Sequence, residues 1–207
     1  IVNDNMVEMP ASPEDADKVE VLYGPNIKPF PTTEKMPESI QAKAILKVGD
    51  DITTDHIMPA GAKILPYRSN IPHLSQFCFA VCDETFAERA KAEGKGFIIG
   101  GEHAALVPLY LGIKAVITKS FARIHCANLI NAGILPLNFA NADDYDKIDQ
   151  GDELALNNIR TAILNNETVY LENITKGEKY ELKYDLSQRQ KDIIVDGGLL
   201  NYTKENI

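Results

Sequence analysis

Three short apolar stretches between Phe97 and Phe139 set the predicted architecture of this chain. They are FIIG (97–100), KAVIT (114–118) and ILPLNF (134–139), and two segments of helical composition separate them. Short runs that are apolar throughout are typical of parallel strands covered on both faces of a sheet. The pattern therefore predicts a parallel βαβαβ core.

Two further elements are predicted before this core. IQAKAILKVGD (40–50) reads as the first strand of the globular part, because its lysines fall on one face and its small and apolar residues on the other (Lys43 and Lys47 against Ala42, Ala44 and Leu46). DETFAERAKAEGKG (83–96) reads as a helix that Asp83 caps and Gly94 ends, with one apolar face (Phe86, Ala87 and Ala90).

The C-terminal part of the chain predicts a second, smaller sheet. A short helix capped by Asn141 is predicted for 141–148, and strands are predicted for ELAL, TVYLENIT and KYELKYD between 153 and 184. Asn-Asn and Lys-Gly turns split these strands, so we expect a small antiparallel sheet. Residues 187–202 predict a helix with a Ser cap, a stop at Gly197-Gly198 and a C-terminal extension. The whole pattern predicts an α/β fold.

Residues 1–40 differ from the rest of the chain in composition. They hold six of the eleven prolines, with scattered charges and little periodic hydrophobicity. Proline removes a backbone donor and so opposes a regular strand ladder. We predict a Pro-rich linker or arm over 1–40 and one folded domain over 41–207. Because the first residue is Ile, we also expect the chain to be a fragment or a processed product of a longer protein.

Charge and hydrophobicity argue against two classes of partner. Thirty acidic residues against 21 basic ones give a net charge of −9, and no basic cluster of the kind that follows a phosphate backbone is present, so we expect no nucleic acid partner. No apolar run approaches the roughly 20 residues that span a bilayer, so we expect no membrane association. Three cysteines make no disulfide framework and fit a reducing compartment, which predicts a cytoplasmic location.

The spacing of potential metal ligands does not match known metal sites. Cys78 and Cys82 form a C-x3-C pair, but structural zinc sites usually need a second pair. The run Asp50, Asp51 and Asp55 lacks the alternate-position ligands and the closing Glu of a calcium loop. We therefore predict no metal ligands in this chain, and buried thiols and solvated turn carboxylates are the simpler interpretation.

Two strand-to-helix turns and one polar loop are the candidate places for chemistry. The turns are 100–103 and 118–121, where the N–H groups of a helix start suit a carboxylate or phosphate. The loop DDITTDHIMPAGAKILPYRSN (50–70) is rich in Asp, Thr, Gly and Pro, and polar loops between apolar regions often carry function. For the second turn, a capped and solvated helix start is the simpler interpretation (Lys119, Ser120 and Arg123).

A long ordered match extends over this loop and the core. GDDITTDHIMPAG (49–61), Arg68 and EHAALVPLYLGIKAVITKSFARIHCANLINAGILPLNFA (102–140) resemble the C-terminal domain of the aconitases, hydro-lyases that isomerise citrate and isocitrate. The resemblance is close over 49–148 and loose elsewhere. It implies a three-layer ββα swivel domain that closes over the N-terminal domains of the same enzyme. It also implies that those domains hold the 4Fe-4S iron–sulfur cluster and that the substrate is a tricarboxylic acid.

The resemblance also implies roles for single residues. The family's Thr-Thr-Asp-His motif falls on residues 53–56, which implies that Asp55 is a catalytic residue paired with a histidine of another domain. The family's substrate-binding arginine falls on Arg68. A guanidinium suits this role because its planar fork binds both oxygens of a carboxylate and stays charged. The cluster ligands lie in other domains, so the resemblance implies no metal ligand here.

One part of the family's pattern is absent. A loop of the type Tyr-Gly-x-Gly-Ser-Ser-Arg-Glu-His, with the proton-abstracting serine and a second substrate-binding arginine, stands in the family between the first core strand and its helix. This sequence instead runs directly through Gly100, Gly101, Glu102 and His103. Either the loop is deleted and the domain lacks the base, or the protein carries a mobile loop that the 207 residues omit. We favour the second alternative because the flanking residues Gly101, Glu102 and His103 are intact.

Two other functions stay as alternatives. The small subunit of isopropylmalate isomerase is a related domain on a separate chain, but Arg68 and the Thr-Thr-Asp-His motif favour an aconitase. A non-catalytic regulatory or RNA-binding module would need a basic surface, which a net charge of −9 does not offer. We therefore expect part of a hydro-lyase that acts by dehydration and rehydration through an aconitate intermediate, and we expect the chain to be inactive alone.

Overall fold

The computed structural model describes residues 5–28, 33–59, 61–102 and 111–206. The strands are β1 (Ile40–Val48), β2 (Gly96–Glu102), β3 (Ile113–Ser120), β4 (Leu135–Phe139), β5 (Glu153–Leu156), β6 (Val169–Asn173) and β7 (Glu178–Lys183). The α-helices are α1 (Thr54–Ile57), α2 (Ile71–Leu74), α3 (Phe86–Glu93), α4 (Arg123–Asn131), α5 (Ile159–Asn165), α6 (Gln188–Val195) and α7 (Leu199–Glu205). Short 3-10 helices cover Ala16–Lys18, Leu65–Tyr67, Ser75–Phe77 and Ala142–Lys147. None of the helices in the described ranges has the length and hydrophobicity needed to span a bilayer.

The seven strands in the described ranges form one closed sheet in the order β1-β2-β3-β4-β7-β6-β5. Strands β1 to β4 are parallel, as the apolar runs predict, and β5, β6 and β7 are antiparallel. The mixed α/β prediction is confirmed. The antiparallel strands do not form a separate sheet, however: β5 pairs with β1 and β7 pairs with β4, so both edges of the parallel strands find backbone partners.

Hydrophobic residues fill both sides of this sheet, because successive side chains of a strand point to opposite faces. Phe97 and Ile99 of β2 belong to a core inside the closed sheet. Ile98 lies on the outer side, in a second core with Phe79 and Phe86, whose rings meet edge to face at 5.3 Å. The outer core joins the sheet to α3 and to the segment that follows β1.

The predicted core strands are confirmed, but β2 and β3 run on into the two predicted turns, as far as Glu102 and Ser120. Helix α4 lies between β3 and β4 as expected, whereas most of the segment predicted as the helix between β2 and β3 (103–110) lies outside the described residues. Helix α3 ends at Gly94, whose φ of 70° favours glycine. Its N-cap is Thr85, so the assignment of Asp83 as the cap is wrong. Asp83 stands two residues earlier and accepts the Thr85 N–H at 2.9 Å.

The C-terminal half contains one helix that the pattern did not predict. The Asn-Asn pair leads into α5 rather than directly into the next strand, and Asn158 adopts φ 50° at its start. The buried residues of α5 have helical spacing, but the helix is too short to stand out (Ile159, Ala162 and Ile163). The caps at Asn141 and Ser187 and the turn at Lys176–Gly177 are confirmed.

The last part of the N-terminal arm packs on the C-terminal helices. We call residues 33–37 the strap. The Met36 N–H donates to Val195 O at 2.9 Å, and Thr33 Oγ1 donates to Gly197 O at 2.5 Å. Gly197 can carry no side chain because a Cβ there would lie 2.3 Å from the carbonyl oxygen of Glu34. The division of the chain at residue 40 stays a prediction.

Candidate active site

Two buried isoleucines fix the segment that carries Asp55. Ile52 is 8% exposed and Ile57 is 1% exposed, and both belong to the outer core. The Ile57 carbonyl accepts the Phe79 N–H at 2.9 Å, which ties the segment to the chain before α3. Asp55 lies between these anchors, in the first turn of α1, with its side chain exposed.

His56 completes a capping box at the start of the same short helix, whose N-cap is Thr53. The Thr53 N–H donates to Nδ1 of His56 at 3.0 Å, and Thr53 Oγ1 lies 3.0 Å from the same atom. Since Nδ1 accepts, the proton of the neutral ring sits on Nε2. His56 therefore orders the backbone around Asp55.

Arg68 lies on the following part of this segment, just after the 3-10 helix Leu65–Tyr67. Asn70 caps α2 by accepting the His73 N–H at 3.1 Å, and the rings of Tyr67 and His73 meet at 4.1 Å between centroids with a tilt of 48°. Local contacts of Tyr67 and Asn70 therefore flank Arg68 on both sides. Its guanidinium is exposed.

The side chains of Asp55 and Arg68 share one property. Neither makes a hydrogen bond or an ion pair to another residue in the described ranges. The two side chains also form no hydrogen bond or ion pair with each other. The two predicted site residues therefore lie on one segment but do not interact directly in these ways. An exposed carboxylate and an exposed guanidinium are both available to groups outside this chain.

Gly101, one of the residues that flank the absent loop, lies against the start of the same segment. Its N–H donates to Gly49 O at 3.2 Å, and a Cβ at this position would lie 2.0 Å from Asp50 Oδ1. Glycine is therefore required for this close approach. The structure brings the end of β2 next to the residues that lead into Asp55. Glu102 pairs with Ser120 in the sheet, and His103 lies outside the described residues.

The connection from β2 to β3 has fewer residues than the equivalent connection from β3 to β4. Residues 103–112, ten in number, must return the chain from the end of β2 to the start of a parallel neighbour. A crossover of this kind needs about a dozen residues or more. The equivalent connection from β3 to β4 runs over 121–134 and contains α4.

Two lysines that end strands β1 and β3 meet over one aromatic ring. The Nζ atoms of Lys47 and Lys119 lie 4.4 Å and 4.5 Å from the centroid of the Tyr145 ring. The Tyr145 hydroxyl donates to Val48 O at 2.9 Å, and its pKa is raised by burial and by the nearby carboxylates of Asp50 and Asp146. The sequence marked Lys119 only as part of the second predicted turn and Lys47 only as a residue on the polar face of the first strand. No local signal marked Tyr145.

An open apolar cleft of about 730 Å³ separates α1 from the start of α4. Thr54 lines it on one side, and Arg123 and Ile124 line it on the other. Ile124 is 74% exposed, unusual for a large apolar side chain. The cleft brings the Thr-Thr-Asp-His segment beside the helix that follows the second predicted turn.

The three cysteines are free, and burial keeps their thiols protonated in the metal-free chain. Burial raises the pKa of the Cys78 thiol to about 12, and burial together with Asp185 raises that of Cys126. Metal ligation requires the thiolate, which a raised pKa disfavours. Within the described ranges there is no group of three or more His, Cys, Asp or Glu residues that could hold a metal ion.

Comparisons with known proteins address the resemblance. The family profile described as the aconitase C-terminal domain matches residues 99–142. The chain is 32% identical over 234 residues to the mitochondrial aconitate hydratase of Candida albicans, which covers 94% of this chain and 30% of that protein. It is 36% identical over 167 residues to the 3-isopropylmalate dehydratase small subunit 2 of Archaeoglobus fulgidus, which covers 77% of this chain and 92% of that protein. The chain belongs to the aconitase C-terminal domain family.

A solved structure supports the same family. The crystal structure of 3-isopropylmalate dehydratase from Methanocaldococcus jannaschii has a TM-score of 0.65 and 30% identity to this chain, and the match covers 81% of this chain and 95% of that one. The mixed α/β fold of this family domain is thereby confirmed, while the swivel arrangement stays an expectation. This aconitase-type chain spans about a third or less of the aconitate hydratases that it matches.

Proposed function

We propose that this chain is the C-terminal domain of an aconitase and helps to isomerise citrate and isocitrate by dehydration and rehydration. The observation that carries the proposal is coverage. The Candida albicans aconitate hydratase matches 94% of the chain, whereas the Archaeoglobus fulgidus small subunit matches 77%. Coverage beyond that of the small subunit fits a domain joined through its arm to the rest of an aconitase. The Candida albicans relative is named as a mitochondrial protein, and the cytoplasmic location of this chain stays a prediction.

Arg68 has the chemistry for a substrate carboxylate. Its exposed guanidinium makes no ion pair to a described residue, so binding an anion breaks no such internal contact. A tricarboxylic acid presents several carboxylates, and the planar fork of an arginine binds one of them through two hydrogen bonds. We assign Arg68 to substrate binding.

Asp55 has the setting of a group that acts on a residue of another domain. Its carboxylate is exposed on an anchored helix and contacts no described hydrogen-bond donor. Beside an imidazole, such a carboxylate would fix the ring's orientation and favour its protonated form. We assign Asp55 to the acid–base step on that basis.

The residues of this chain do not fit an iron–sulfur cluster of their own. A cluster is held by Cys thiolates, and the thiols of Cys78 and Cys126 have raised pKa values. We therefore place the 4Fe-4S cluster of the complete enzyme on the other domains.

The family's proton-abstracting base is a serine of the loop that is absent from this sequence. Two observations support a loop that the 207 residues omit. The β2-to-β3 connection has only ten residues (103–112), and the stretch aligned with the Candida albicans enzyme is 234 residues long, longer than this 207-residue chain. Relatives thus carry residues that this sequence lacks.

Peptide mapping tests the loop. Trypsin should cut after Lys95 and Lys114, and the sequence between them contains no other Lys or Arg. If a Ser-Ser-Arg loop is present after Gly101, the peptide 96–114 will be missing, and two peptides with extra Gly, Ser and Arg will replace it. Detection of 96–114 at its calculated mass would instead show that the loop is deleted and that the base must come from elsewhere.

The small subunit of a 3-isopropylmalate dehydratase is the second candidate, because the Archaeoglobus fulgidus protein is more similar in sequence, at 36% against 32%, and is covered over 92% of its length. Substrate assays separate the two. The full-length protein should interconvert citrate and isocitrate and leave isopropylmalate unchanged, and the reverse preference would establish the second candidate. The 207-residue chain alone should show neither turnover nor the visible absorption of a cluster, and turnover by the chain alone would refute the proposal.

A further inference from the structure

The N-terminal arm reaches the segment that carries Arg68. The side-chain amide of Asn26 donates to Pro66 O at 3.4 Å, and the backbone N–H of Lys28 donates to Ser69 O at 3.3 Å. The two accepting carbonyls stand on either side of Arg68. The arm therefore brackets the arginine through the backbone on each flank.

The strap anchors the arm a few residues further on. Thr33 and Met36 bond to Gly197 and Val195, and Asn201 donates to Thr33 O at 2.9 Å. Lys35 adds an ion pair of 2.6 Å with Glu205. Because the strap is fixed on the C-terminal helices, residues 26–28 are tethered close to the folded domain.

The Arg68 segment has few other long-range ties. Every other backbone hydrogen bond between residues 61–69 and the described part of the chain joins positions at most four apart. Leu65 is 51% exposed, and Pro66, Arg68 and Ser69 are exposed as well. A segment that is ordered by local turns alone is only weakly ordered. Two additional hydrogen bonds from a tethered arm therefore restrict its motion.

We propose that residues 26–28 are a positioning element for Arg68. The inference rests on the proposed role of Arg68 in substrate binding. The arm restricts the motion of the segment, so the guanidinium is held ready for a carboxylate. Loss of the arm contacts leaves Arg68 in place but lets its segment sample more conformations, which weakens substrate binding before it affects the chemical step.

A proline substitution separates the backbone contact from the side chain. Lys28→Pro removes the N–H that bonds to Ser69, and Lys28→Ala is the matched control because it keeps the N–H. Asn26→Asp replaces the amide donor by a carboxylate facing the Pro66 carbonyl. Asn131→Asp is the control for this change of charge, since the Asn131 side chain makes no hydrogen bond to a described residue.

Hydrogen exchange in the full-length protein gives a readout that does not depend on activity. We expect amide exchange over 61–70 to rise about 2- to 10-fold in Lys28→Pro and in Asn26→Asp, the range that the loss of one hydrogen bond implies, and to stay unchanged in both controls. We expect KM to rise by a similar factor with a smaller change in kcat. Equal exchange in Lys28→Pro and Lys28→Ala would overturn the inference.

The role of Arg68 itself is checked in the same assay. If exchange over 61–70 rises in Lys28→Pro but neither this variant nor Arg68→Lys alters KM, the tether of the segment is real but the positioning of a substrate-binding arginine is refuted. That outcome removes the role of Arg68 under the proposed function. Unchanged exchange together with a raised KM in Arg68→Lys would refute the arm inference and leave the proposed function intact.

Discussion

The closed sheet and the segment 49–70 handle polar groups in opposite ways. Directly before β5 of the sheet, Asp152 is 6% exposed and accepts hydrogen bonds from Asp149 N–H at 2.9 Å and from the Asn173 amide at 2.7 Å. On the segment, Asp55 and Arg68 are exposed and make no hydrogen bond or ion pair to a described residue. Paired charges serve the fold, and unpaired charges on an anchored backbone are free to serve a ligand or another domain.

Asp55→Asn should give the largest effect and should affect activity alone. The change keeps the shape of the side chain and removes the charge that would orient a histidine. We expect kcat of the full-length enzyme to fall about 100-fold or more, the scale of general acid–base contributions, with a much smaller change in KM. Steady-state kinetics measure both constants.

Thermal unfolding of the 207-residue chain is the control for Asp55→Asn. Its melting temperature should stay level or rise slightly, because the exposed carboxylate loses no described partner. A large fall in melting temperature with intact catalysis would make Asp55 a structural turn residue instead.

Arg68→Lys should come next in size. A fork that binds two carboxylate oxygens becomes a point charge, so substrate and transition state should both bind more weakly by about 1–3 kcal/mol, the scale of a hydrogen bond to a charged group. The ratio kcat/KM measures the loss. If the steady-state constants do not change, Arg68 has no contact with the substrate.

Asp152→Ala should show the opposite behaviour, with stability lost and activity kept. The substitution leaves the nearly fully buried amide of Asn173 without its acceptor, and it also removes a contact to Lys176 at 3.3 Å. We expect a loss of about 1–3 kcal/mol in the free energy of unfolding, measured by denaturant titration, with kcat unchanged below the transition. An equal loss in kcat would break the separation between the two regions.

Asp83→Asn should give the smallest effect, and the effect should depend on pH. The Arg89 guanidinium, at 2.6 Å, and the hydrogen bonds from Thr85 hold the pKa of Asp83 well below its usual value of 3.8. A carboxylate with a lowered pKa stabilises the fold above its unfolded pKa and loses that contribution as the pH falls below it.

At pH 7 we therefore expect Asp83→Asn to lower the melting temperature by roughly 2–8 °C. The difference from the unmodified protein should shrink as the pH falls below about 4, where the unfolded carboxylate becomes protonated. A difference that is constant from pH 7 to pH 3 would mean that the charge of Asp83 does not contribute.

The local sequence pattern was enough to predict most helices and strands, but it was not enough to identify the candidate site. The apolar runs of β2, β3 and β4 stood out because both faces of these strands are buried. Helix α5 was hidden because its seven residues are too few to show a period against the neighbouring strands. The cap of α3 was misplaced by two residues because Asp83 and Thr85 are both good cap residues.

Contacts between distant positions account for what the sequence did not show. The sequence around Gly101 does not indicate that Asp50 Oδ1 lies close to the position that a Cβ of residue 101 would occupy. The bonds from Asn26 and Lys28 to the Arg68 segment join residues about 40 positions apart. Asp55 and Arg68 were singled out by resemblance to a family, since their local pattern is equally that of solvated turn residues.

Closure of the sheet has a consequence for how such a domain evolves. Because β5 pairs with β1 and β7 pairs with β4, the described strands leave no open edge that a neighbouring domain must complete. A gene could therefore be split or fused upstream of the strap without costing the sheet a hydrogen bond. The relatives show both arrangements: this chain spans 30% of one aconitate hydratase and 92% of a dehydratase small subunit.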